Sequence, residues 1–273
     1  MKTSFEFFPP RTDKGKQTLE QVRQELSVIS PEYFSVTFGA GGTTQDATLE
    51  TVLDIQANDG IPAAPHLSCI DSEKSKIIEL LDQYKAAGIN RIVALRGDIP
   101  SGVRDIGDFH YANELVEFIK SQYNDHFHIE VAAYPETHPQ AKNVQTDLTH
   151  FANKVKAGAD AAITQYFYNA DAYFRFKDEA ENLGVNIPIT PGIMPITNHT
   201  QLVRFSNMCG AEIPKWILER LKLYENDLDS LSAFGTEVVS NLCQTLKDQG
   251  VDSFHFYSMN RTQPSLEIAK NLV

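Results

Sequence analysis

Residues 77–97 read IIELLDQYKAAGINRIVALRG. Ile77, Leu80, Leu81 and Tyr84 stand at i, i+3, i+4 and i+7, the spacing of one apolar helix face. Gly88 then closes the helix, because glycine takes the left-handed backbone that ends helices without steric penalty. A short apolar run, Arg91–Arg96, follows at once and reads as a buried strand. The same helix–glycine–strand unit recurs at Gly60 before IPAAPHLS, Gly158 before ADAAITQYF, Gly184 before VNIPITPG and Gly250 before VDSFHFYS. Serial units of this kind build α/β folds.

Working outward from these junctions, eight strands are expected: Ser4–Phe8, Tyr33–Phe38, Ala63–Ser68, Arg91–Arg96, Ile129–Tyr134, Ala161–Phe167, Ile187–Ile193 and Ser253–Ser258. Helical stripes lie between them, as at Ala112, Leu115, Val116 and Ile119, and at Leu148, Phe151, Ala152 and Val155. A longer helical stretch, roughly Thr200–Gln249, precedes the last strand and reads as three helices. Eight parallel strands form either a closed barrel or a doubly wound sheet. The strand count and the lack of linker composition favour a single α/β domain over residues 1–273, a (β/α)8 TIM barrel with extra helices before the last strand.

The chain has a formal net charge of −12, which opposes binding of nucleic acid or anionic membrane by the bulk surface. Cys69, Cys209 and Cys243 form no C-x-x-C pair, which points to a reducing compartment, read as the cytoplasm. No apolar run reaches membrane-spanning length, and no metal motif, Walker loop or G-x-S-x-G appears. The histidines are scattered, and no metal is expected.

A barrel places its active site at the C-terminal strand ends, so the polar residues there are the candidates. Glu6 lies inside Phe5-Glu6-Phe7-Phe8-Pro9-Pro10. Strand alternation turns it opposite to Phe5 and Phe7, into the barrel, where loss of water favours the protonated acid. The other reading is a Glu facing the helices and paired to a cation. Thr37-Phe38-Gly39-Ala40-Gly41-Gly42 reads as a loop that a ligand can approach closely, or as a flexible turn. His66 ends strand three and is either a ligand contact or a structural imidazole. Leu95-Arg96-Gly97-Asp98 sets a cation, an open backbone and a carboxylate at the mouth, or forms a surface ion pair. Tyr134-Pro135-Glu136-Thr137-His138-Pro139 groups an aromatic, an acid and an imidazole in a stiff loop. Gln165 is an amide among apolar neighbours, and the aromatics beside it fit core packing. Asn260 and Arg261 lie just past strand eight.

These blocks, with Pro65-His66-Leu67, Lys154 to Gly158, Ile163-Thr164-Gln165, Pro191-Gly192-Ile193-Met194-Pro195 and Phe254-His255-Phe256-Tyr257, resemble the methylenetetrahydrofolate reductase family, in family order along nearly the whole chain. The chain is similar to the compact catalytic domain of bacterial members. The resemblance implies FAD as prosthetic group, reduced pyridine nucleotide (NADH or NADPH) as donor and 5,10-methylenetetrahydrofolate as acceptor. It implies ping-pong kinetics, a role in methionine synthesis and a homo-oligomer. Glu6 would be the general acid that opens the five-membered folate ring to an iminium, with hydride passing from the flavin N5 to the methylene carbon. Asp98 would contact the pterin and tune the flavin. Gln165, Phe205, Tyr257 and Arg261, with Glu6 and Asp98, would hold folate. Thr37, Phe38, His66, Leu95, Arg96, Gly97, Asp98, Tyr111, Ala112, Tyr134, Glu136, His138, Asp147, His150 and Lys154 would hold FAD. His150 and Asn153 stand where relatives often carry basic or amide groups, so Lys154 and helix N-terminal amides would take more of the pyrophosphate. A corrinoid-linked methyltransferase or pterin synthase on the same barrel is the competing enzyme reading, and a non-catalytic pterin or flavin binder is the third.

Overall fold

The computed structural model describes residues 1–38, 42–70, 72–97 and 107–272, with residues 42–44 described by their backbone alone. Asp98 and the glycines at 39 and 41 therefore lie outside the described residues. The chain alternates β1 (Lys2–Phe7), α1 (Asp13–Ser27), β2 (Tyr33–Val36), α2 (Gly42–Asn58), β3 (Ala63–Ser68), α3 (Lys74–Ala86), β4 (Arg91–Leu95) and α4 (Ala112–Tyr123). It continues through β5 (His128–Ala133), α5 (Val144–Lys156), β6 (Ala161–Thr164), α6 (Ala170–Asn182), β7 (Ile189–Thr190) and β8 (Gly192–Ile193). Three helices follow, α7 (His199–Cys209), α8 (Lys215–Leu223) and α9 (Leu228–Asp248), then β9 (Ser253–Tyr257) and α10 (Ser265–Leu272).

Every ladder is parallel, in the order β7-β6-β5-β4-β3-β2-β1-β9-β8. The two ends of that order are consecutive in the chain, so the sheet curls into a nearly closed α/β barrel. The run expected as one seventh strand, Ile187–Ile193, is two short pieces around Pro191. Proline has no N–H for a ladder, so the strand breaks there. β7 pairs β6 and β8 pairs β9, and the Gly192 N–H donates to the Thr164 hydroxyl at 2.9 Å across the break. Strand six also ends early, at Thr164, and Gln165–Tyr168 lead into α6.

The five junction glycines all have positive φ, from 67° at Gly60 to 113° at Gly158. The helices start on side-chain caps that satisfy free N–H groups: Thr12 caps α1, Asn143 caps α5, Asn198 caps α7 and Asp227 caps α9. The expected stripes face inward, with Ile77, Leu81 and Tyr84 of α3 and Leu115, Val116 and Ile119 of α4 fully buried. Outward-facing strand residues such as Phe5, Phe7, Phe34, Phe254 and Phe256 fill the layer between barrel and helices. Among the described residues, no helix is long and apolar enough to cross a membrane.

Candidate active site

The inside of this barrel is polar where barrels are usually filled by branched aliphatics. Strand alternation on β1 sends Phe5 and Phe7 outward and Ser4 and Glu6 inward. The side chain of Glu6 is 13% exposed, and its Oε2 lies 3.3 Å from His66 Nε2 and 3.7 Å from His255 Nε2. The Glu6 that sequence alternation turns into the barrel is therefore inside it, facing two imidazoles. Neither Nε2 has an aligned hydrogen-bond partner among the described residues. Burial holds the His66 pKa down, with the Glu6 charge acting against it. Burial, and then the Glu6 charge, pushes the Tyr257 phenol well up. The Tyr257 hydroxyl donates to the Thr164 carbonyl at 2.7 Å, which fixes its ring at the seam of the barrel.

The loop after β9 clamps the end of β1. Asn260 Oδ1 accepts the Phe8 N–H at 2.8 Å, its Nδ2 donates to the Phe8 carbonyl at 2.9 Å, and the Ser258 hydroxyl donates to the Glu6 carbonyl at 2.6 Å. Asn260, expected on the ligand side of strand eight, thus orients the strand that holds Glu6.

The remaining candidates form the rim. Thr37 continues β2, with its N–H on the Phe7 carbonyl, and Phe38 packs on the core. Leu95 ends β4, and its carbonyl accepts the Cys69 N–H. Arg96 hydrogen-bonds the Gln140 amide oxygen and the Gly97 carbonyl. Gly97 has φ +85°, and a side chain there would run into Ser68 and Ile70, so this bend admits only glycine. Tyr111 caps α4 ahead of Ala112, is half exposed, and stacks on His150 at 5.8 Å and 15°. Tyr134 meets His138 edge-on at 4.5 Å, and the His138 N–H donates to Asp147 Oδ2 at 2.7 Å. Lys154 donates to the Ala132 carbonyl and lies over the Phe151 ring. Burial lowers its pKa to about 8, while Asp147 acts in the other direction.

Glu136 lies in the same loop, between Tyr134 and His138. Its carboxylate accepts the Glu212 N–H at 2.8 Å and lines a cleft with Trp216 and Asn241. Burial raises its pKa. Of the residues that the resemblance assigns to the substrate, Gln165 accepts the Tyr166 N–H at 3.0 Å, Phe205 packs from α7 against the core, and Arg261 is exposed beyond β9. Sequence reasoning did not single out His255, Ser4, Tyr33 or Glu130, all of them buried polar residues inside the barrel. The available signal was polar residues at alternate positions of apolar strands.

The sequence model of the family described as methylenetetrahydrofolate reductase matches residues 1–273. The chain is 40% identical over 271 residues to the 5,10-methylenetetrahydrofolate reductase of Pectobacterium carotovorum subsp. carotovorum, covering 98% of this chain and 89% of that protein. It is 39% identical over 271 residues to the protein of that name from Escherichia coli (strain K12), covering 98% and 90%. A solved protein from Clostridium thermocellum, described as binding two copies of 5-methyl-5,6,7,8-tetrahydrofolic acid, has a similar fold. Its TM-score is 0.64, with 14% identity over 99% of this chain and 92% of that one, a likeness of fold alone. A polar-lined barrel with an inward acid at its first strand, matched along its full length, belongs to the methylenetetrahydrofolate reductase family.

Proposed function

We propose that this methylenetetrahydrofolate reductase works with bound FAD, taking electrons from NADH or NADPH and reducing 5,10-methylenetetrahydrofolate to 5-methyltetrahydrofolate. The observation that supports this reading is Glu6, a carboxyl inside the barrel, facing His66 and His255 beneath a rim of cations and aromatic rings.

The rim residues fit a flavin dinucleotide. Lys154 is a buried ammonium with its pKa lowered by burial, a site that a pyrophosphate would neutralise. Arg96 lies at the neighbouring strand end, and the first-turn amides of α4 and α5 are ready anion donors. Tyr111 and His150 offer a stacked aromatic face. Thr37, Phe38, His66, Leu95, Gly97, Ala112, Tyr134, Glu136, His138 and Asp147 complete the proposed FAD contacts. When bound, FAD supplies hydride chemistry, while the protein orients and tunes it.

Folate would sit over Glu6, held by Asp98, Gln165, Phe205, Tyr257 and Arg261. A hydride acceptor must first be made electron-poor, and a positioned acid does this. Glu6 gives its proton to the ring nitrogen that leaves. The C–N bond electrons pass to that nitrogen, and the methylene carbon becomes an iminium. Nucleotide and folate use one cleft in turn, which makes the kinetics ping-pong, and the methyl product feeds methionine synthesis. The three free cysteines suit a cytoplasmic protein, and the chain acts as a homo-oligomer.

Anaerobic stopped-flow of the flavin, first with NADH and then with methylenetetrahydrofolate, tests the reading. Glu6→Gln is expected to keep flavin reduction by NADH and to slow reoxidation by the folate by about 10²–10⁴-fold. Equal loss in both half-reactions would make Glu6 structural. A colourless protein that rejects added FAD would refute the flavin reading.

A further inference from the structure

The loop after β5 joins parts of the molecule that are distant in the chain. Tyr134 and His138 meet edge-on there, and the His138 N–H donates to Asp147, all of them residues proposed to hold FAD. The same loop also packs on the C-terminal end of α7 and on the connector from α7 to α8. α7 carries Phe205, proposed to hold folate.

Glu136 makes the polar contact of this junction. Its Oε2 accepts the Glu212 N–H at 2.8 Å, from a residue 76 positions away. Glu212 lies between α7 and α8, outside both helices. Gly210 makes the close contact. It ends α7 with φ +77°, and an added Cβ would lie 3.0 Å from Pro139 Cγ and 3.3 Å from the Thr137 carbonyl oxygen. A side chain at this position would push the helix end off the loop.

Thr137 stands between these two contacts with φ +76°. A β-branched residue seldom adopts a left-handed backbone, and such a conformation persists only where its surroundings hold it. Glu136 on one side and Pro139 on the other supply that hold. α7 is tied down a second time by Ser206, which is buried with its hydroxyl 3.0 Å from that of Tyr166, just beyond β6. Ser206 is the neighbour of Phe205 in the chain. α7 pairs with no strand, so the place of Phe205 is set by what the helix rests on: the end of β6 and the loop after β5.

We propose that Glu136 is a positioning residue for the folate: its carboxylate latches the α7–α8 connector to the loop after β5 and so holds Phe205 at a fixed place relative to the flavin. The proposal deepens the folate reading and rests on it, whereas the latch itself does not. What the junction requires of Glu136 is an acceptor oxygen at the end of a two-carbon stem. Loss of that oxygen would leave Tyr134, His138 and Asp147 in place and release the end of α7.

Glu136→Ala removes the acceptor. KM for methylenetetrahydrofolate is expected to rise about tenfold, the size of effect that one hydrogen bond to a charged acceptor gives. FAD affinity and flavin reduction by NADH are expected to change far less. Glu136→Gln keeps an oxygen on the same stem and is expected to recover most of the loss. Phe205→Ala supplies a second arm. If the latch acts through Phe205, adding Glu136→Ala to Phe205→Ala costs little more, so the two changes are not additive. Hydrogen exchange of the Glu212 amide, followed by NMR on FAD-loaded protein, reads the latch without turnover. The amide is expected to exchange slowly in the unmodified protein and in Glu136→Gln, and faster in Glu136→Ala. A fall in FAD affinity as large as the rise in KM, additive losses with Phe205→Ala, or a Glu212 amide that exchanges alike with and without the carboxylate overturns the proposal. If the unmodified protein fails to reoxidise reduced flavin with the folate, the role for Phe205 falls with the functional reading, and exchange at Glu212 still decides the latch.

Discussion

Two ionisable side chains show how position sets chemistry at the residue scale. Glu6 and Lys154 are both withdrawn from solvent at the C-terminal end of the barrel, yet one faces imidazoles and the other a backbone carbonyl. Lys154 is protonated below about 8 and loses its charge above it, because burial disfavours the ammonium. FAD affinity is therefore expected to fall as pH rises through this value, and Lys154→Met to be weaker and flatter in its pH dependence. Fluorescence titration of FAD across roughly pH 7 to 9 checks both, and an unmodified protein with level affinity removes Lys154 from the pyrophosphate. In flavin-free protein the sign is opposite. A lysine whose folded pKa is depressed from 10.5 adds stability as pH climbs above about 8. Cys69 makes a contrast, since burial pushes its thiol to about 12 and leaves it inert.

The decisive elements are β1 and the broken seventh strand. β1 splits its residues between two environments, with Phe5 and Phe7 in the apolar layer and Ser4 and Glu6 inside. A one-residue register slip would exchange those faces, so the ladders to β2 and β9 and the Asn260 clamp all act on the acid. At the seam, Gly192 is packed between the Thr164 carbonyl and the Tyr257 ring, and an added methyl would lie 2.6 Å from that ring. Gly192→Ala is expected to cost about 1–3 kcal/mol, read as a lower melting temperature. It should also raise KM for the folate through the displaced Tyr257 while FAD still loads. Unchanged melting would mean that the seam yields freely.

Closure governs the whole molecule. The first strand pairs with the last, and β8 pairs with that same last strand, so the barrel is complete only when residues at both ends of the chain are in place. A chain ending at Gly250 would lose β9, His255, Tyr257 and the Asn260 clamp together. It is expected to show no cooperative thermal transition and no near-ultraviolet circular dichroism; a sharp transition would show that the remaining strands form an independent core. The net charge of −12 surrounds a rim that holds Arg96 and Lys154, so attraction for an anionic cofactor is local.

Much of this was legible along the chain, and the limit of legibility is physical. Apolar periodicity and five glycine stops depend on neighbours within a few residues, so they placed the helices, the strands and the barrel class. Glu6 stood out for the same reason, as a carboxylate among phenylalanines. Pro191 was visible, but the split of one strand into two ladders depends on which edges β6 and β9 present to it. The buried polar contacts inside the barrel were not legible. Ser4 and His255 are 251 residues apart, and Tyr33 and Glu130 are 97 apart. Their contacts exist only because barrel closure fixes the stagger between strands, and no local pattern encodes that stagger. The sequence by itself determined the elements, the fold class and the acid. The tertiary structure alone decided which buried polar groups surround it and bond to one another, since hydrogen bonds act over about 3 Å, and folding is what brings such distant residues within that range.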